Sequence, residues 1–128
     1  MDWPTTGGAM KPELLYWVVA GLCAPFVEEV LCRGLLYRGF AESRLGVPGA
    51  IVLTAALFTA FHLPEFADTS YWYVEILRIT VIGLLFGWLR YRTGSVLPSW
   101  GFHTLHNGVA APVMEHIFAS SWGAPPRS

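Results

Sequence analysis

The sequence predicts an all-α, polytopic membrane bundle of about four transmembrane helices. Three observations predict it. Of the 128 residues, 54% are hydrophobic and only 13% charged, against about 25% charged in a soluble domain. The apolar residues gather in four stretches, none with the period-2 alternation of a strand. Arginine-bearing loops alternate with an acidic one, as successive membrane crossings require.

The first helix is expected over residues 14–37, with Glu28, Glu29 and Arg33 inside it. Pro25 lies within it, and an internal proline frees the carbonyl four residues back, here that of Gly21, and kinks the chain. The second helix is expected over residues 48–62, with Pro48 in its first turn, where helices accept proline. The third is expected over residues 74–91 and the fourth over residues 97–118. A span needs about 20 residues. The second and third fall short of that, so each reads as a thin, tilted or partly re-entrant span. Residues 1–13 form a polar segment without the basic region and apolar run of a secretory signal. Residues 14–118 form the core, and residues 119–128 a frayed tail.

The loops set an orientation. Arg38 and Arg44 follow the first helix, and Arg90 and Arg92 end the third. Glu65, Asp68 and Glu75 lie between the second and third. The positive-inside rule places the arginine loops in the cytoplasm and the acidic loop outside. Tyr71, Trp72 and Tyr73 then form an outer aromatic belt with Trp17 and Trp122, and Trp88 and Tyr91 an inner one. Gly83 and Gly87, with Ala55 and Ala56, would let helices approach closely. G-x-x-x-G serves dimerisation and internal packing equally well.

The composition also excludes. A net charge of −1 offers no basic field to nucleic acid. Cys23 and Cys32 lie nine residues apart on one helix, about 13 Å of rise, too far for a disulfide. Both are expected as buried, reduced thiols.

Ionisable groups at membrane depth are costly and mark functional sites. Glu29 and Arg33 are four apart and meet on one helix face. Glu28 points about 100° away. Arg33 can therefore hold Glu29 ionised while Glu28 faces a cavity as a general base. Phe58 and His62 share a face, as do His103 and Asn107, and an imidazole with an amide can donate to a developing oxyanion. His106 is a candidate spare ligand or supporting donor. Glu115 and His116 are expected at the interface. M-E-H-I-F is not H-E-x-x-H, so no zincin helix is present. Two histidines and a glutamate, His62, His103 and Glu28, could hold Zn²⁺ with one open position. The polar cavity is expected in the cytoplasmic half. One mismatch arises: His62 lies about 20 Å from the arginine end of its helix, His103 only about 10 Å.

E-E-x-x-x-R at Glu28 to Arg33, F-x-x-x-H at Phe58 to His62 and H-x-x-x-N at His103 to Asn107 follow in order on successive apolar segments. In this the chain resembles the CPBP family of intramembrane proteases, which includes type II CAAX prenyl endopeptidases and bacteriocin-processing or immunity (Abi-type) proteins. The resemblance implies Glu28 as the base that activates water and His62 as its second holder. It implies His103 and Asn107 as oxyanion donors, Glu29 and Arg33 as ordering groups, and Phe58 packed beneath His62. A metal-free reaction is favoured, with Zn²⁺ on Glu28, His62 and His103 as the alternative. Family members carry further helices before the E-E-x-x-x-R helix, which is the first one here. The chain then reads as a fragment, a minimal variant, or one that needs a second copy or a partner subunit to close its cavity.

The expected function is hydrolysis of a peptide bond in a peptide or protein tail, prenylated or leader-like, in an integral protein of the plasma membrane whose other partner is lipid. The alternatives are an inactive membrane peptide-binding or immunity protein, and a component of a proton-coupled transporter.

Overall fold

Membrane helices must be long enough to cross about 30 Å of hydrocarbon and apolar enough to stay there. Three helices of the computed structural model meet both demands: Leu14–Ala41, Gly46–Phe66 and Trp72–Thr93. The fourth begins as Leu97–Leu105 and continues as a π-helical turn, His106–Ala110. The structure describes residues 12–110, 112–113 and 116–117, and among these there is no strand. Residues 1–11, Glu115, Trp122 and the 119–128 tail lie outside the described residues.

The second and third helices are longer than the sequence suggests, 21 and 22 residues. Neither is thin or re-entrant by length. Pro64 sits in the last turn of the second helix, which ends two residues later. The third helix ends on Gly94, whose φ of 69° suits a left-handed cap and whose N–H donates to the Arg90 carbonyl.

Pro25 produces a local rewinding in place of a sharp break. A π-helical turn over Val19–Cys23 precedes it, and a second over Val30–Leu36 follows the acids. The Leu22 carbonyl accepts a hydrogen bond from Trp100 Nε1 at 3.1 Å. That bond ties the rewound turn to the fourth helix.

The second and third helices pack through small residues. A Cβ on Gly83 would lie 3.1 Å from Ala55 Cα, and one on Gly87 would lie 3.2 Å from Ile51 Cγ2. The G-x-x-x-G is thus used inside the bundle, to bring two of its own helices together. The hydroxyls of Thr59 and Thr80 meet across the same seam at 3.0 Å. Gly83→Val would drive a branched side chain into the Ala55 backbone. It is expected to cost about 1–3 kcal/mol by overpacking. A thermal midpoint in detergent equal to that of wild type would refute this packing.

Around the seam, Cys32, Phe58, Phe66 and Ile79 form the apolar core. Cys32 is buried and Cys23 exposed, and both thiols are free. The expectation of two buried thiols fails for Cys23, whose side of the helix faces outward. Trp72, Tyr73, Trp88 and Tyr91 are exposed, as belt residues would be. Tyr71, the residue before the third helix, is not, at 5% exposure.

The depth mismatch between the two histidines disappears in the packing. The fourth helix starts recessed: Val96 Cγ1 would lie 3.9 Å from a Cβ on Gly34. From that level Glu28 is six residues away along the first helix, and His103 is seven residues from Val96. At 1.5 Å per residue both climb about 9–11 Å. His62 is sixteen residues from Gly46 and Glu28 thirteen from Ala41, rises of about 20–24 Å. All three side chains arrive at one depth.

Candidate active site

Glu29 and Arg33 follow the helix spacing into the interior, where both side chains are fully buried. Arg33 Nη1 donates to Glu29 Oε1 at 3.2 Å, and Nη2 donates to the Gly83 carbonyl at 2.9 Å. The guanidinium lies over the rings of Phe58 and Phe86, 4.6 and 5.3 Å from their centroids. Arg90 Nε donates to the Arg33 carbonyl at 2.9 Å. One buried cation thus receives a carboxylate, a carbonyl and two aromatic faces.

Glu29 Oε1 also accepts from His103 Nδ1 at 2.9 Å. A carboxylate held by an arginine only accepts, so the His103 proton sits on Nδ1. His62 Nδ1 donates to the Phe58 carbonyl at 2.7 Å, which fixes the same tautomer. Both rings then present Nε2 to Glu28, His62 at 3.8 Å and His103 at 3.6 Å. Phe58 spaces them, with ring centroids 4.4 Å from His62 and 5.3 Å from His103. Phe86 lies 5.4 Å from His103.

Glu28, His62 and His103 are the nearest approach to a metal site among the described residues, with one ligand atom from each lying within 4.8 Å of the other two. Glu28 Oε2 is buried and has no hydrogen-bond partner among the described residues. Two imidazole nitrogens and a carboxylate oxygen, with both rings already tied back through Nδ1, are a donor set that suits a catalytic zinc. The chemistry of the donors therefore fits a metal.

These groups line a cavity of about 800 Å³. Asn107 is in its wall, as are Tyr16, Trp17, Glu65 and Arg78. The cavity reaches towards the end of the bundle where the second helix finishes and the third begins. The sequence reading puts it in the half with the arginine loops. The rise to Glu28 and His62 carries it instead to the opposite half, beside the acidic loop.

A comparison with protein families fits this arrangement. The model of the type II CAAX prenyl endopeptidase Rce1-like family matches residues 10–109. The chain belongs to this family. At family level it is an integral membrane protease of CAAX type. The match spans all three motifs, from Glu28 to Asn107. No curated protein and no solved structure matches the chain.

The family match also covers residues that sequence reasoning passes over. By sequence, Glu75 groups with the acidic loop. It lies instead in the first turn of the third helix, 6% exposed, and Arg78 Nε donates to it at 3.0 Å. Arg78 also contacts His106. An acid and a base three apart in an apolar stretch form the kind of signal that picks out Glu29 and Arg33. Phe86 gives no such signal, being one phenylalanine among eight. Sequence spacing puts His103 and Asn107 on one face. Both line the cavity, and in the π-helical turn after Leu105 Asn107 Oδ1 also lies 3.3 Å from His106 Nδ1.

Proposed function

We propose that the chain hydrolyses a peptide bond near the C-terminal end of a membrane-delivered, prenylated tail, with Glu28 as the base that activates water. The observation that carries this reading is the convergence of Glu28 Oε2 with the Nε2 atoms of His62 and His103. Glu28 Oε2 and His62 Nε2 are both acceptors and lie 3.8 Å apart. One water donates a hydrogen to each and turns an oxygen lone pair towards the substrate carbonyl. Glu28 takes the proton as the water attacks, then passes it to the leaving amine.

The tetrahedral oxygen needs donors that are already in place. His103 supplies one when it carries a second proton on Nε2, and Asn107 supplies the other. Arg33 and Glu29 already pair as opposite charges in the interior. That balance lowers the cost of holding them at membrane depth. Phe58 and Phe86 pack the imidazoles at fixed angles and keep loose water out.

Glu28, His62 and His103 would also be the residues to hold a Zn²⁺. Bound there, the ion would make water acidic and polarise the carbonyl. Glu29 and the Phe58 carbonyl would serve as they do without it, fixing each ring by its Nδ1 proton.

The test is cleavage by the purified chain in detergent. A quenched prenylated C-terminal peptide is compared with an unprenylated leader-like peptide, with and without chelator, and products are read by mass spectrometry. His62→Ala is expected to lose activity with the bundle intact. Turnover retained in His62→Ala would sink the assignment. Activity that survives chelator in wild type sets Glu28 alone as the activating group, and activity that chelator removes sets the metal.

A further inference from the structure

Two residues of the cavity wall, Arg78 and His106, have no part in the chemistry above, and buried Glu75 pairs with the first of them. Arg78 is anchored at one end, its Nε donating to Glu75 Oε2 at 3.0 Å, with Nη2 on the same oxygen. Its Nη1 meets His106 Nε2. A guanidinium carries donors only, so Nε2 must supply a lone pair and the ring proton must sit on Nδ1. A doubly protonated ring would set N–H against N–H and a cation against a cation.

Nδ1 faces Asn107 Oδ1 at 3.3 Å. An N–H needs an acceptor there, so the carboxamide turns its oxygen to His106 and keeps its NH₂ for another partner. In the opposite orientation the amide oxygen would face a developing oxyanion and repel it. Glu75 thus holds Arg78, Arg78 selects the His106 tautomer, and the tautomer selects the Asn107 orientation. The π-helical turn His106–Ala110 makes this contact between sequence neighbours.

We propose that Arg78, acting through His106, is a positioning residue that aims the Asn107 NH₂ into the cavity as an oxyanion donor. This rests on the reading of Asn107 given above, and it adds two residues to the working site.

The test is a double-mutant cycle on cleavage of the prenylated peptide: wild type, Arg78→Met, Asn107→Ala and the two combined, each first shown to be helical and monodisperse in detergent. Asn107→Ala is expected to lower kcat about 10²–10³-fold. Arg78→Met is expected to lower kcat about 10–100-fold with KM unchanged, and to add nothing in the Asn107→Ala background. Arg78→Gln keeps an uncharged N–H for His106 and regains most of the loss. A loss that persists undiminished in the Asn107→Ala background, or that falls on KM, overturns the relay and leaves Asn107 in its role. Asn107→Ala with wild-type kcat overturns the role of Asn107 itself, and the relay with it. If Arg78→Met does not fold, His106→Leu leaves the Glu75–Arg78 pair in place and takes its part in the same cycle. The effect of His106→Leu must likewise vanish without Asn107.

Discussion

Glu28→Gln is expected to reduce cleavage by about 10²–10⁴-fold, the range general-base catalysis supplies, without loosening the bundle. The substitution keeps the size of the side chain and removes only its charge and its ability to take a proton. Glu28 is half-exposed to the cavity and makes none of the buried contacts of Glu29 and Arg33. Its loss should therefore leave the melting midpoint near that of wild type. Glu29→Gln makes the contrast. It takes the carboxylate from Arg33 and from His103 together, so both stability and turnover fall. The pair separates chemistry from architecture at adjacent positions. Equal losses of stability in the two variants would contradict the division of labour between them, and a turnover near wild type in Glu28→Gln would remove Glu28 as the base.

The largest loss of folded protein is expected from Arg33→Leu. Both members of the Arg33–Glu29 pair are 0% exposed, and removing one leaves an uncompensated charge, which costs about 3–5 kcal/mol. Arg33→Lys should recover only part of this. A single ammonium cannot reach Glu29 and the Gly83 carbonyl in the fork that the guanidinium spans. Monodisperse yield and thermal midpoint in detergent measure both variants. Wild-type yield from Arg33→Leu would mean that Glu29 is not held as an anion.

The contrast between Glu28 and Glu29 is legible in the sequence alone. Adjacent residues on a helix point about 100° apart, and only one of them can share a face with Arg33. The four apolar stretches and their order are legible for similar reasons of period and length. The depth of the site is not. Counting along each helix gives two histidines about 10 Å apart in height, because sequence does not show that the fourth helix starts level with Gly34. Nor is the contact of Asn107 with His106 visible, since adjacent residues on a helix ordinarily face apart. Glu75 and Arg78 are visible as charges. Grouping Glu75 with Glu65 and Asp68 as outer charge hides its spacing of three from Arg78, although a helix starting at Val74 already contains it; the observed helix begins two residues sooner, at Trp72.

The buried pair also constrains how the polypeptide can be made. Glu29 finds Arg33 within its own helix, but the other partners come much later: the Gly83 carbonyl is 50 residues after Arg33, and His103 is 74 residues after Glu29. At about 5–20 residues per second, that is roughly 4–15 s of translation. Until then the helix carries two acids and an arginine with nothing further to receive them in hydrocarbon. Its release from the insertion machinery should therefore wait for the third and fourth helices, so that biogenesis delivers the bundle to the bilayer as a unit.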